Sequence, residues 1–261
     1  MAEEAFRLNF DLYNDQSEVN RWAERGELQM AERKIIEVLH DRLGFFDMLD
    51  VGVGGGRTTA HFAPLAKSYL GIDFAPNMIV ACRERFPDLD LRVADASELR
   101  EIDSCSFDFV LFSFNGIDYL SATARQRALN ELSRVLRPDG CLAFSSHNLN
   151  FFPLFLHAQA RWFSYRPSRI LENVRRSIRF REANRHIQFT PELTTAVVFE
   201  NRLNFTAPTF YVKPTHQIEI LRNMGMQDIR LFPVDGGEVE IDSAETETIT
   251  APSIYYFCRS P

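Results

Sequence analysis

Residues 48–57, Met-Leu-Asp-Val-Gly-Val-Gly-Gly-Gly-Arg, constrain this chain more than any other stretch. An apolar run from Phe45 to Val53 reads as a buried strand, followed by a glycine-rich turn and a helical pattern from about Thr58. Glycine admits φ > 0 and lets a ligand approach the backbone with no Cβ in the way. The first turn of the next helix aims free N–H groups and a positive dipole end at the same place. Together these predict a nucleotide or nucleoside cradle at the carboxyl edge of a parallel sheet. A dinucleotide fingerprint needs a third glycine at position 57, where this chain has Arg57.

Strand patterns at 45–51, 69–73, 90–94, 107–113 and 140–146 alternate with helical patterns near 57–66, 76–85 and 122–136. That alternation predicts βαβ units with helices on both faces of the sheet. Arg137-Pro138-Asp139-Gly140 is a turn where a helix must hand over to a strand. Helical periodicity also runs over 15–43, through Val19, Trp22, Leu28, Ile35 and Leu39, and stops at Gly44. After His147 the pattern changes. Residues 150–182 read as helical and aromatic, and 186–213 as extended; a helix over 214–224 and strands at 227–233 and 253–259 complete the sheet. The expected fold is α/β, a doubly wound, mostly parallel seven-stranded sheet with a lid inserted between the fifth and sixth strands. Its expected units are an N-terminal helical segment (1–44), a core (45–147), an inserted lid or oligomer surface (148–213) and a C-terminal completion (214–261).

The formal net charge of −7 and pI near 5.5 argue against general nucleic-acid binding. Cys82, Cys105, Cys141 and Cys258 show no metal-ligand spacing, so no metal is expected. Scattered free cysteines point to a reducing, cytoplasmic compartment. The opening Met-Ala-Glu-Glu-Ala-Phe has no basic n-region, and no run approaches membrane-spanning length.

The series Asp50-x-Gly52-x-Gly54-x-Gly56 resembles the first motif of class I S-adenosylmethionine-dependent methyltransferases. The resemblance covers residues 45–147 well and the terminal helix and strands loosely. It implies S-adenosyl-L-methionine as cofactor. Asp50 would organise the glycine turn and touch the methionine amino group. Asp73, ending Leu70-Gly71-Ile72-Asp73-Phe74-Ala75, would accept both ribose hydroxyls. Asp95 would accept the adenine amine, with the Ala96 N–H facing the ring, Met78 would pack on the adenine, and Phe74 is a further cofactor-binding candidate. An aspartate after a strand is also a common helix N-cap, which is the competing reading of Asp73 and Asp95 taken singly. The run Phe107-Asp-Phe-Val-Leu-Phe-Ser113-Phe-Asn-Gly-Ile-Asp-Tyr-Leu120 resembles the fourth-strand region of small-molecule methyltransferases and places Ser113 at the cofactor. Two departures matter. The fourth strand lacks the Asn/Asp-Pro-Pro-Tyr/Phe text of nucleobase and amide methyltransferases, and no Asp/Asn ligand set marks a cation-dependent catechol enzyme.

Methyl transfer asks the protein to align an acceptor and, for a hydroxyl, to take up its proton. His147, Asn115 and Tyr119 follow the fourth and fifth strands and are the catalytic candidates; His147 is the first choice of base. Each has a structural alternative, as a strand-end cap, a turn former and a core ring respectively. Tyr13, Asn148 and His216 are candidates for acceptor binding. Arg161, Arg166, Arg169, Arg175, Arg176, Arg179, Arg181 and Arg185 stand against Glu172 and Glu182 only. This run is either an anion site or a solvated face paired with the acidic loop Asp235–Glu247. The expected activity is methylation of a small polar acceptor, at oxygen of a sugar, glycan or other hydroxylated metabolite; amine methylation is the alternative. A non-catalytic cofactor-binding protein or a nicotinamide-dependent reductase are the rivals, the last disfavoured by Arg57 and by the lack of a Tyr-x-x-x-Lys pair.

Overall fold

The computed structural model describes residues 2–151, 167–200 and 205–261, apart from the side chains of 2–6 and 167–173. Its strands are β1 (Asp47–Val51), β2 (Ser68–Asp73), β3 (Asp90–Val93), β4 (Phe107–Phe112), β5 (Leu136–Asn148), β6 (Thr195–Phe199), β7 (Pro208–Val212), β8 (Gln227–Pro233) and β9 (Ser253–Arg259). The helices are α1 (Ala2–Tyr13), α2 (Gln16–Ala23), α3 (Met30–Leu39), α4 (Thr59–Phe62), α5 (Pro76–Arg85), α6 (Ala122–Val135), α7 (Pro167–Ala183), α8 (Pro214–Asn223) and α9 (Ala244–Thr248). These strands form one sheet. Seven of them run β3-β2-β1-β4-β5-β9-β8, with β9 antiparallel to both neighbours. This is the doubly wound, mostly parallel sheet that the alternation predicts. β6 and β7 are additions from the stretch between its fifth and sixth strands.

Period-two alternation divides each strand between the two faces of the sheet. Leu142, Phe144 and Tyr256 pack with Leu129, Leu132 and Leu221 of α6 and α8 on one face. Cys141, Ala143 and Tyr255 pack with Ile35 and Leu39 of α3 and Ile79 of α5 on the other. Two helical expectations change. The pattern over 15–43 divides into α2 and α3, and the helix expected over 57–66 shortens to the four residues of α4. Within the helical reading of 150–182, residues 152–166 lie outside the described residues.

The position of the site follows from β5, which outruns β4. The last partner of β4 is Phe112, opposite Phe144, whereas His147 and Asn148 pair in parallel with Tyr211 and Val212 of β7. His147 also pairs with Ser253 of β9, so β7 occupies the flank that β4 leaves vacant. The β6–β7 hairpin therefore stands beyond the carboxyl end of β4, at the sheet edge that carries the glycine turn. Asn148, expected at the acceptor, holds this junction instead. Its Nδ2 donates to the Ile249 and Ala251 carbonyls at 2.9 Å each, and its Oδ1 accepts from the Asn150 N–H at 2.9 Å. The amide is buried and its polar atoms are spent on backbone.

Asn148→Ala should remove these bonds and strand buried carbonyls. The expected cost is about 1–3 kcal/mol in urea unfolding. An unchanged midpoint would mean that the junction does not depend on this amide.

Candidate active site

β1 ends at Val51, and the chain turns through Gly52, Gly54 and Gly56 at φ values of 69°, 53° and 88°. L side chains rarely adopt these conformations. Gly54 donates its N–H to Asp73 Oδ2 at 2.9 Å, which ties the turn to the end of β2. A Cβ built on Gly54 would meet nothing within 4 Å, so its free side faces open space. Gly56 has a different role from the one expected. A Cβ there would lie 2.5 Å from the Phe86 ring, so the residue is small to admit the end of α5, and it does not line the cavity. Because α4 is so short, the cradle is built from turn backbone and neighbouring side chains rather than from the dipole end of a long helix.

Beside the turn lies a cavity of about 600 Å³, within the range of small-ligand sites. Of the residues expected at a cofactor, Gly52, Gly54, Asp73, Phe74 and Met78 line it. So do Asp95, Ala96 and Ser113. Asp73 is buried, and its Oδ1 accepts the Ala75 N–H at 2.9 Å. Burial pushes its carboxyl up to about 6, against the backbone N–H groups of Ala75, Gly54 and Phe74. Asp95 is exposed, with Oδ1 accepting from the Ser97 N–H at 2.8 Å.

Tyr13 and Tyr119 also line the cavity, their ring centroids 5.2 Å apart. Around them stand Phe10, Trp22 and Phe114, which the sequence reading passed over. Phe10 and Tyr13, three residues apart, share a face of α1 and both meet Phe74. That spacing was a readable signal. Asn9 was missed too. It is buried, and its Nδ2 donates to the Tyr119 and Pro208 carbonyls at 3.1 Å each. Two carbonyl partners fix the amide orientation and leave Oδ1 buried with no partner among the described residues. Trp22 Nε1 is likewise unpartnered. The α1–α2 wall thus offers an unused acceptor and an unused donor beside aromatic faces.

Four other expected residues point elsewhere. Asp50 lies beneath the turn, its Oδ2 accepting from Thr58 Oγ1 and the Tyr69 hydroxyl at 2.7 Å each. It is fully buried and does not line the cavity, and burial pushes its carboxyl up to about 7. Asn115 turns away because Phe114 and Asn115 both adopt left-handed backbone, at φ 55° and 58°. Its Nδ2 donates down to Ser253 Oγ at 2.8 Å, and Phe114 takes its place at the wall. A bulky residue at positive φ is strained, and such strain gathers at functional loops. His147 sits one ring behind the wall, in edge contact with Tyr119 at 6.1 Å and against Tyr211 at 4.9 Å. Its Nδ1 is 2.8 Å from Asp118 Oδ2, which also accepts the His147 N–H at 2.6 Å. Asp118 is buried with Arg125 and Ser146 on its other oxygen. His216 lies on α8, 3.1 Å from Glu219, away from the cavity.

Under Ser113 lies a buried polar network invisible in the linear sequence. Arg57 and Glu32 form a bidentate pair at 2.6 Å through both guanidinium nitrogens. Ser113 Oγ lies 3.2 Å from Arg57 and donates to Glu32, and the Tyr255 hydroxyl is 2.8 Å from the same carboxylate. Burial opposes ionisation of Glu32, but Arg57, Ser113 and the Gln29 N–H outweigh it and hold the carboxyl below its usual value. No cluster of metal-ligating side chains occurs among the described residues.

Residues 48–140 match the family model described as a methyltransferase domain. A demethylmenaquinone methyltransferase of Paenarthrobacter aurescens is 26% identical over 137 residues, 52% of each chain. A probable S-adenosylmethionine-dependent methyltransferase of Mycolicibacterium smegmatis is 30% identical over 138 residues, 52% of this chain and 50% of the relative. The chain therefore spans about half the length of these curated relatives. The crystal structure of an S-adenosylmethionine-dependent methyltransferase from Mesorhizobium loti shares the fold, with a TM-score of 0.59 at 18% identity, over 88% of this chain and 97% of that one. Matched domain, sheet order and glycine cradle agree: the chain carries a class I methyltransferase domain, of the family whose cofactor is S-adenosyl-L-methionine.

Proposed function

We propose that the whole chain transfers a methyl group from S-adenosylmethionine to a small hydroxylated aromatic acceptor held against the α1–α2 wall. The carrying observation is that one cavity holds both sets of groups: the Gly54–Asp73 cradle and a wall of Phe10, Tyr13, Trp22, Phe114 and Tyr119. The residues present fit the cofactor. Asp73 keeps lone pairs for two ribose hydroxyls, since Oδ2 accepts the Gly54 N–H, Oδ1 accepts the Ala75 N–H, and each carboxylate oxygen can accept again. Asp95 and Ala96 would meet the adenine edge, Met78 and Phe74 its faces, and the open side of Gly54 the methionine portion. When bound, this cofactor supplies an electrophilic methyl group on a sulfonium, so the protein's work is alignment and proton uptake.

The described wall carries no imidazole or lysine. An acceptor is therefore favoured whose own hydroxyl ionises readily. A phenol titrates near 10, as tyrosine does, whereas water sits at about 15.7. Flat aromatic faces also suit a planar acceptor better than a polyhydroxylated sugar. The quinone named for the Paenarthrobacter relative supports a planar ring as acceptor, without itself carrying a hydroxyl. His147 stands behind Tyr119 with its Nδ1 on Asp118, so in this reading it positions Tyr119 and does not touch the acceptor.

Titration with S-adenosylhomocysteine tests the cradle. The ionised form of Asp73 accepts the ribose hydroxyls, so affinity should be full above its value of about 6. It should fall as pH drops through that value, by up to about tenfold per pH unit. Asp73→Asn should abolish this dependence, and Asp73→Ala should weaken binding by about 1.5–3 kcal/mol. A pH-independent affinity in the wild type would remove Asp73 from the ribose site.

Turnover with a panel of hydroquinones, simple phenols, sugars and primary amines tests the acceptor, read as methylated product by mass. Phenols or hydroquinones should be methylated, and His147→Ala should slow them without changing S-adenosylhomocysteine affinity. Methylation confined to sugars or amines would overturn the aromatic reading.

A further inference from the structure

Of the arginines concentrated between 161 and 185, Arg161, Arg166 and the side chain of Arg169 lie outside what is described; Arg175, Arg176, Arg179, Arg181 and Arg185 have described, exposed side chains. None of these five joins an ion pair among the described residues, and none lines the cavity. Of the acidic loop offered as their counter-charge, Asp242 pairs with Arg222 and Glu238 with Arg230. These five arginines therefore neither line the cavity nor pair with that loop.

The inner face of α7 is settled. Phe180 is buried against Phe205, and Asn184, just past the helix, exchanges hydrogen bonds with the Phe199 backbone at 2.8 and 2.9 Å. The outer face carries Val174 and Ile178, 48% and 51% exposed and one turn apart. At about 100° per residue, Arg181 stands beside Val174 on one side of this aliphatic crest, and Arg175 and Arg179 stand on the other, with exposed Glu182 between Ile178 and Arg175. Phe189, shortly after the helix, is also exposed.

We propose that the outer face of α7 docks on an anionic phospholipid surface. An aliphatic crest with arginines on both sides, three cations against one carboxylate, is the geometry of an interfacial helix. The crest enters the acyl boundary, and the arginine stems reach outward to headgroup phosphates. The formal net charge of the whole chain is −7, so repulsion elsewhere would orient docking through this one basic face. A nucleic acid would use the guanidinium groups but not the Val174–Ile178 crest, and the sole aromatic residue of α7, Phe180, is buried, so the helix offers no ring to stack a base. No described helix is long and apolar enough to cross a membrane, so the contact is with the surface alone. This inference is independent of the acceptor.

Co-sedimentation of the full chain with vesicles decides it, using phosphatidylcholine alone and phosphatidylcholine with about one-third phosphatidylglycerol. Binding should occur on the anionic vesicles only and weaken with salt. Arg175→Glu with Arg179→Glu should lower the partition coefficient at least about tenfold. Val174→Ser with Ile178→Ser should lower it several-fold, with S-adenosylhomocysteine affinity unchanged in both as a check on folding. Ile178→Trp gives a second readout: its added fluorescence should shift to the blue on anionic vesicles. No binding, binding indifferent to both double variants, a loss confined to the arginine pair, or displacement of vesicles by a DNA duplex would each overturn lipid docking.

Discussion

The floor of the cavity rests on the buried pair of Glu32 and Arg57. Taking two charges out of water costs several kcal/mol per ion, and only good geometry with further hydrogen bonds offsets it. Both conditions are met: the contact is bidentate, and Ser113, Tyr255 and the Gln29 N–H complete the shell around Glu32. The partners come from α3, the end of the glycine turn, the loop after β4 and β9. One interaction thus registers four distant segments against one another. It also accounts for Arg57 where a dinucleotide fingerprint would have glycine. This position carries the counter-ion that lets Glu32 remain charged inside the protein.

Above that floor, the cavity is closed by segments outside the core sheet. Asn9 joins α1 to the Tyr119 loop and to Pro208 at the start of β7. β7 reaches that point because β5 continues beyond β4 and offers it a free flank. Cofactor residues therefore come from the ends of core strands, while the aromatic wall comes mainly from α1, α2 and the loop after β4. Such a division lets one fold keep its cofactor chemistry while the wall is varied for different acceptors.

The candidate site was legible in the sequence where function depends on local backbone. Gly52 and Gly54 lie on the cavity because a strand that stops in a glycine turn must open at the sheet edge. Asp73 and Asp95 lie there because Asp73 ends β2 and Asp95 comes two residues after β3, both at the carboxyl edge of the parallel sheet. Asn115 has equally suggestive placement and faces the opposite way, since two successive left-handed residues invert the direction of its side chain. His147 and Asp50 are set back by hydrogen bonds to Asp118, Thr58 and Tyr69, which no spacing rule announces.

By itself the sequence determined the mostly parallel α/β core and the glycine turn, which follow from periodicity and short-range geometry within a few residues, and its motifs carried the resemblance that implies the cofactor class. The strand order came from the tertiary structure. Only the tertiary structure decided which polar groups face the cavity, that α1 and the β6–β7 hairpin meet over it, and that Arg175, Arg176, Arg179 and Arg181 of α7 do not line it. Those outcomes turn on partners as far apart as Asn9 and Pro208, or Glu32 and Tyr255. Packing selects such pairs from many that the same local pattern would allow, because a buried polar group must find a partner wherever the fold brings one.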